Sequence, residues 1–383
     1  MSKKEKTKKH VSLFVKILRI AGCLLAAVVL YVVGVLIYLM ITEYKPADRE
    51  SIAVRQSADP SKTTHTGVKS GEQFRLLSWN IGYGALGDNA DFFMDGGKSV
   101  NTADKERLNT NLSSMNSFIT QADPSFVFLQ EADVYSTRSH KFDETDYFYN
   151  NLNSSDGNYD SAFAYNFNVK FMPVPVPPMG RVEGGIQTLS EYPIRSAERI
   201  SLPCPFKFPM RLMNLKRCLL VSRIPVIDET GAESGKELVL INLHLEAYDN
   251  GEGKIAQTNM LKEIIKTETD KGNYVIAGGD FNQTFSSVDS SKYPVYPDTW
   301  HCGSIEVSDF PDNLQLLMDD SSPSCRSLDK PYAGADKSTF QYYVIDGIIV
   351  SDNITVENFE TVDLDFVSTD HNPVLLNFTL NAE

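Results

Sequence analysis

The sequence has few of the residues from which several common kinds of site are built. Its 383 residues include only five cysteines, and no C-x-x-C pair occurs among them. This absence argues against a zinc finger and against a dithiol redox centre. The chain also has no internal repeat and no low-complexity block, which argues against a solenoid or a fibrous protein.

Positive charge is scarce beyond the N-terminal region. Residues 1–50 carry nine Lys/Arg against four Asp/Glu, and the rest of the chain carries 27 against 46, a balance of −19. An acidic body does not suit a protein that holds polyanions against a broad basic face. It remains compatible with a small metal-filled site that acts on phosphate, because a bound cation dominates its local field.

A long uncharged run near the N-terminus predicts a membrane span. Residues 20–41 are apolar and follow a lysine-rich tail. At about 1.5 Å per residue, a helix of this length spans roughly 33 Å, enough for a bilayer core of about 30 Å. Because the lysines precede the span, we expect a single-pass cell-membrane protein with a cytoplasmic N-terminus and an extracytoplasmic body. A cleaved signal peptide is the alternative, but its apolar run would be shorter and no small-x-small site follows.

The chain therefore divides into four predicted parts. They are a basic cytoplasmic tail (1–19), a transmembrane helix (20–41), a polar linker (42–72) and a catalytic body (73–383).

The body contains four cysteines in two sequence-local pairs. If the body is extracytoplasmic, we expect the bridges Cys204–Cys218 and Cys302–Cys325; four buried free thiols are equally compatible with the pattern.

Strands and helices alternate along the body. Apolar residues at helical spacing predict helices over 101–121 and 254–269. Residues 135–182, rich in aromatics, amides and prolines, are interpreted as a long irregular surface flap. Apolar runs predict strands at 74–81, 126–131, 184–189, 218–227, 236–245, 274–277, 342–350 and 374–380.

Polar residues occupy the ends or interiors of these strands where apolar residues are expected. The central example is the stretch 278–282, in which a glycine pair ends a buried strand and a carboxylate and an amide follow, two residues apart. Side chains two apart in an extended segment point to the same side. Each such residue alone has an ordinary explanation, such as a turn or a capped helix, but together they indicate one site. The full set is Asn80, Glu131, His244, Asp280, Asn282, Asp346, Asp370 and His371.

The chemistry of these groups suits a metal-assisted reaction on phosphate. A carboxylate beside an imidazole fixes its tautomer and raises its basicity, and a lone buried Asp346 needs such a partner. Glu131 and Asp370, with Asn80 nearby, offer the oxygen ligands that Mg²⁺ or Mn²⁺ prefers over zinc.

The motifs that carry these residues resemble the endonuclease/exonuclease/phosphatase, or deoxyribonuclease I-like, superfamily. They occur in that family's order over nearly all of residues 73–383, which makes the resemblance specific. It implies a four-layer α/β/β/α sandwich and divalent-metal phosphoesterase chemistry. The motifs are Ser78-Trp79-Asn80, Leu129-Gln130-Glu131, Asn242-Leu243-His244-Leu245, Gly279-Asp280-Phe281-Asn282, Ile345-Asp346-Gly347 and Ser368-Thr369-Asp370-His371-Asn372-Pro373.

The resemblance also implies a role for each residue. Glu131 would bind the metal, helped by Asn80 and Asp370. Asp280 would orient or deprotonate the attacking water, and His371, oriented by Asp346, would contact the scissile phosphate. Asn282 would donate to a phosphate oxygen, and His244 would steady developing charge or protonate the leaving oxygen.

The substrate is left open by the sequence. The membrane span and the flap residues Tyr165, Phe167, Phe171 and Met172 favour a lipid headgroup or a small phosphate ester. An extracellular nuclease is the alternative, and a catalytically inactive tethered binding domain is a further alternative of another class. No obligate protein partner is inferred.

Overall fold

The computed structural model describes residues 12–57, 65–154, 157–228, 230–249, 251–297 and 299–382. The chain separates into two compact units, Met1–Glu43 and Tyr44–Glu383. The first unit contains helix α1 (Leu13–Thr42), whose first turn is capped by Ser12 Oγ accepting from the Val15 amide. Helix α1 includes the predicted span 20–41 and is long and apolar enough to cross a membrane, although a signal sequence meets the same criteria. Residues 1–11 of the predicted basic tail lie outside the described residues.

The second unit contains three helices longer than one turn within its described residues, α2 (Lys105–Ala122), α3 (Glu144–Ser154) and α4 (Glu252–Thr269). Its strands are β1 (Arg49–Ile52), β2 (Val68–Lys69), β3 (Gln73–Asn80), β4 (Phe126–Asp133), β5 (Asp160–Met172), β6 (Gly180–Ser190), β7 (Ser196–Ser201), β8 (Cys218–Ile227), β9 (Glu233–His244), β10 (Tyr274–Asp280), β11 (Gln283–Phe285), β12 (Gly303–Ile305), β13 (Leu314–Leu317), β14 (Cys325–Arg326), β15 (Tyr342–Tyr343), β16 (Asp346–Ser351), β17 (Ile354–Thr361) and β18 (Val374–Leu380).

Two large mixed sheets form the centre of this unit. The first sheet has the order β1-β7-β8-β9-β10-β16-β13, with β2 added beside β8, and the second has the order β17-β18-β3-β4-β6-β5. Each contains one parallel pair joined through a helix: α4 connects β9 to β10, and α2 connects β3 to β4. Such crossovers are what parallel neighbours require.

The strands bury both faces, and this produces four layers. Phe126 and Phe128 of β4 point into the core between the two sheets, whereas Val127 and Leu129 point to the outer core beneath α2 and α3. Strand β9 alternates in the same way, with Leu240 facing the inner core and its neighbours facing α4. This period of two on each strand gives the predicted α/β/β/α sandwich, and the fold prediction is confirmed.

Two predicted irregular segments contain regular structure. Within the predicted linker, β1 pairs with β7 at the edge of the first sheet, and β2 pairs with β8 and buries Val68 in the core. The predicted flap over 135–182 is wrong as a whole: it contains α3 and the long hairpin β5–β6. Among its described residues, 135–143, 157–159 and 173–179 remain irregular.

Two further predictions are corrected. The predicted strand 342–350 is divided into β15 and β16, because the amides of Ile345 and Asp346 both donate to Ser324 Oγ, each at 3.0 Å. The predicted disulfides are not formed, since all five cysteines are free thiols. Cys204 and Cys218 instead lie against different backbone carbonyls, those of Leu215 and Tyr165.

Candidate active site

Three of the predicted residues lie in one row across the first sheet. Asp280 at the end of β10 is paired with His244 of β9 on one side and with Asp346 of β16 on the other. All three side chains are buried. The register of the sheet therefore brings a histidine and two carboxylates to one level, near the end of the sandwich.

The glycine pair before Asp280 permits this close arrangement. Gly279 has φ of +144°, and a Cβ on it would lie 2.0 Å from the carbonyl oxygen of Leu243. Only glycine allows the backbone to take this conformation beside β9. The sharp exit then lets the Asn282 amide N–H donate to Asp280 Oδ1 at 2.8 Å, which fixes that carboxylate.

The second sheet brings Asn80 and Glu131 to the same place. Asn80 Nδ2 donates to Asp280 Oδ2 at 3.0 Å and lies 3.3 Å from Glu131 Oε1. Glu131 has φ of +55° and sits where the register of β4 against β6 shifts by one residue. Such a β-bulge turns a side chain out of the regular alternation, and strained backbone of this kind concentrates at functional sites.

His371 is held on the opposite side of the cluster by Asp346. Its Nδ1 lies 2.8 Å from Asp346 Oδ2, and its Nε2 lies 3.8 Å from Asp280 Oδ2. The indole of Trp79 donates to the His371 carbonyl at 2.9 Å and fixes the backbone there. The predicted Asp346–His371 contact is therefore present, and both predicted histidines approach the same oxygen of Asp280, His244 Nε2 at 3.4 Å.

The environment sets different protonation tendencies within the cluster. Burial, reinforced by the Asp346 carboxylate, raises the pKa of Asp280 to about 7. Burial opposes charge on His371, yet Asp346 outweighs it and holds the pKa of His371 well above its usual range. Burial and the Arg217 guanidinium hold the pKa of His244 well below its usual range. A charged and a neutral histidine thus face the same carboxylate.

The oxygen donors in the cluster fit a divalent metal. Burial raises the pKa of Glu131, and the Asp370 carboxylate raises it further while Arg138 opposes both. A bound cation would offset this cost of ionising Glu131. Asp280, Asp346 and His371 also offer ligand atoms within 4.8 Å of one another. The donors are mainly carboxylate oxygens, which suits Mg²⁺ or Mn²⁺.

A cleft of about 460 Å³ opens over this cluster. Six of the predicted residues line it: Glu131, His244, Asp280, Asn282, Asp370 and His371. Asn80 and Asp346 lie behind them and act through hydrogen bonds to the residues in front. The Asn282 side-chain amide is partly engaged, since its Nδ2 donates to the Leu245 carbonyl at 2.9 Å.

Several further residues around the cluster were not predicted from the sequence. Gln130 Nε2 donates to Asn242 Oδ1 at 2.9 Å and ties the two sheets together beneath the site. Arg138 is paired with Asp133, and Arg217 donates to the His244 carbonyl at 3.1 Å. The motifs containing Gln130 and Asn242 gave a signal for that pair, whereas nothing in the local sequence distinguishes the two arginines.

Part of the apolar lining of the cleft comes from two connections between strands. Met172 and Val174 come from the β5–β6 hairpin, and Phe206, Met210 and Met213 come from the segment between β7 and β8. We refer to these five residues as the apolar wall. Of the four predicted flap residues, Phe167 and Met172 line the cleft, but Tyr165 and Phe171 are not among its lining residues.

The fold and the cluster together define a phosphoester hydrolase. The family comparison agrees, because residues 77–371 match the Endonuclease/Exonuclease/phosphatase family. The match covers well over half of the chain, and the protein belongs to this family. The predicted family is therefore confirmed, as is the class of enzyme, a hydrolase acting on ester bonds.

Three solved structures are similar to this chain at low sequence identity. An endonuclease/exonuclease/phosphatase from Beutenbergia cavernae is 16% identical, with a TM-score of 0.51, over 81% of this chain and 72% of that one. The human Nocturnin catalytic domain with bound sulfate is 16% identical, with a TM-score of 0.48, over 85% and 100%. TDP2 from C. elegans is 14% identical, with a TM-score of 0.45, over 81% and 76%. A comparison with curated proteins finds no match.

Proposed function

We propose that the protein is a membrane-anchored, Mg²⁺- or Mn²⁺-dependent phosphoesterase that hydrolyses lipid phosphate esters. The observation that carries the chemistry is the meeting of His244, Asp280 and His371 around one carboxylate oxygen at the floor of the cleft. The metal would be held by Glu131 and Asp370 with help from Asn80, and when bound it would neutralise charge on the phosphate.

Each side chain then has a distinct task. Asp280, fixed by Asn80 and by its own Asn282 amide, accepts the proton of the attacking water. His371, kept positively charged by Asp346, binds a phosphate oxygen and stabilises the charge that develops there.

His244 and Asn282 complete the site around the phosphate. The buried Nδ1 of His244 has no hydrogen-bond partner among the described residues. Because the pKa of His244 is low, this neutral ring serves as a hydrogen-bond partner to the leaving oxygen. Asn282 donates its remaining amide hydrogen to a phosphate oxygen.

The lipid substrate is supported by the apolar wall. Val174 and Met210 are 51% and 53% exposed, although they adjoin a polar site. Among the described residues that line the cleft there is no lysine. Of the three arginines there, Arg138 and Arg217 are bound to carboxylates and Arg326 to backbone carbonyls. A cleft with these walls suits an ester with one phosphate and an apolar body better than a polyanion.

A panel assay of the full-length protein in detergent micelles tests this proposal. Sphingomyelin and phosphatidylcholine, single-stranded DNA, RNA and inositol phosphates would each be supplied with Mg²⁺. We expect hydrolysis of a phospholipid and little of the nucleic acids. Preferential cleavage of DNA or RNA would instead establish a nuclease, and inactivity on every ester would favour a tethered binding domain.

The proposed topology follows from α1 and the lysines that precede it. The N-terminus is placed in the cytoplasm and the catalytic unit outside. Protease added to intact cells should therefore digest the catalytic unit. Protection until the cells are lysed would contradict this orientation, and an N-terminus that begins after α1 in the mature protein would indicate a cleaved signal sequence.

A further inference from the structure

The thiol of Cys325 lies in the cluster but has no part in the proposed hydrolysis. Cys325 begins β14, and its backbone is bridged to that of His371. One ligand atom from each of Cys325, Asp370 and His371 lies within 4.8 Å of the other two, and all three residues are buried. All three also line the cleft, so a small ion can reach them from solvent.

The donor set of these three residues differs from that of the magnesium site. It combines sulfur, nitrogen and oxygen, and a thiolate selects soft or borderline ions such as Zn²⁺ over Mg²⁺. Three protein ligands with one open position are a common zinc arrangement. Zinc bonds of about 2.0–2.3 Å place two ligands roughly 3–4 Å apart, so the side chains need to move by only about 1 Å.

We propose that Cys325, Asp370 and His371 form a second metal site that binds Zn²⁺ and thereby inhibits the enzyme. The zinc ion replaces the thiol proton of Cys325 and one ring proton of the charged His371. Both protons pass to solvent, and the ion forms bonds to the sulfur and to that ring nitrogen. Binding also takes Asp370 away from the magnesium ligands. Coordination through Nε2 of His371 occupies the nitrogen that faces the cluster. Coordination through Nδ1 breaks the contact with Asp346 that positions the ring. Either mode prevents His371 from binding the phosphate.

Cobalt binding provides a test that does not depend on turnover. The full-length protein in detergent would be titrated with Co²⁺, which takes zinc sites and shows a thiolate-to-cobalt charge-transfer band. We expect the band in the wild type and in Cys302→Ser, and no band in Cys325→Ser. Cys302 is a suitable control because it packs in the same apolar cluster as Cys325.

Titration with Zn²⁺ measures the affinity of the proposed site for zinc itself. By calorimetry with Zn²⁺ alone, Cys325→Ser should bind at least about tenfold more weakly than the wild type, while Cys302→Ser should bind equally well. Hydrolysis by Cys325→Ser should correspondingly resist zinc concentrations that inhibit the wild type. A charge-transfer band or an unchanged zinc affinity in Cys325→Ser would overturn the proposal.

A measurement on the wild type alone keeps the test valid if the variant misfolds. Thiol alkylation would be followed at each cysteine by mass spectrometry, with and without Zn²⁺. The ion should slow the modification of Cys325 and leave that of Cys204 unchanged. Equal rates at Cys325 with and without zinc would refute the site, and neither result depends on which ester the enzyme cleaves.

Discussion

The polar end of the cleft and the apolar wall differ in how their side chains are held. His244 and Asp280 are 4% and 2% exposed and lie in register on neighbouring strands of one sheet. The wall residues Val174 and Met210 are more than half exposed and belong to turns between strands. The groups proposed to carry out the chemistry are therefore fixed by the sandwich. The groups proposed to contact the substrate body lie on connecting segments, which tolerate variation.

This division predicts that changes at the two ends have different consequences. A change at the polar end should lower the rate for every substrate, because all of them contain the phosphate. A change at the wall should affect only substrates with an apolar body.

Removing the metal should have the largest effect. Excess EDTA should abolish hydrolysis, and Mg²⁺ or Mn²⁺ should restore it, because the carboxylates around the phosphate would otherwise repel it. Glu131→Ala should need a higher metal concentration than the wild type to reach its maximal rate. Full activity in excess chelator would contradict the assignment of the oxygen-rich cluster as a metal site.

Removing the proposed base or the charged histidine should have the next largest effect. Asp280→Asn and His371→Ala should each lower kcat by about 10²–10⁴-fold, with a smaller change in KM. Steady-state kinetics on one substrate measures both. Asp270→Asn, on the exposed end of α4, is the matched control and should be silent. A loss below about tenfold in Asp280→Asn would show that another group activates the water.

Making the apolar wall polar should have a smaller and more selective effect. Met213→Ser should raise KM for a phospholipid by roughly tenfold or more, since burying an apolar side chain contributes about 1.5–3 kcal/mol. Val295→Ser replaces an exposed apolar residue that does not line the cleft and is the control. An equal rise in KM for Met213→Ser and Val295→Ser would show that the apolar wall does not determine substrate specificity.

The smallest effect concerns stability and lies away from the cleft. Burial, with help from Asp123, raises the pKa of Glu191 to about 7, against about 4.3 in an unfolded chain. The folded state therefore holds the extra proton between these values, so stability should fall as pH rises from about 4 to 7. Glu191→Gln should flatten this part of the thermal unfolding profile. The exposed Glu360→Gln should not, and a profile unchanged in Glu191→Gln would contradict the assigned pKa.

The sequence predicted the polar end well because motif and position agree there. Strand ends such as those at Asn80 and Asp280 could be located from apolar runs that stop at a polar residue. Their meeting in space could not be derived from these runs, because it depends on the register of β9, β10 and β16. The family resemblance supplied that information.

The apolar wall was harder to predict because its structure depends on distant pairing. Strand β5 mixes aromatic, amide and charged residues, and it forms because Asp160 to Met172 pairs with Ser190 to Gly180 of β6. The local sequence therefore indicated a loop where a hairpin exists. The arginines Arg138 and Arg217 were missed for a similar reason, since their carboxylate partners become apparent only in the folded chain.

A crossed comparison of two variants and two substrates tests the central claim most directly. The kcat/KM of wild type, Asp280→Asn and Met213→Ser would be measured on a phospholipid and on a water-soluble ester with the same phosphate linkage. We predict that Asp280→Asn lowers both values by the same factor, whereas Met213→Ser lowers the phospholipid value alone. If Met213→Ser lowered both values equally, or if Asp280→Asn spared either substrate, the proposed division between the two ends of the cleft would be wrong.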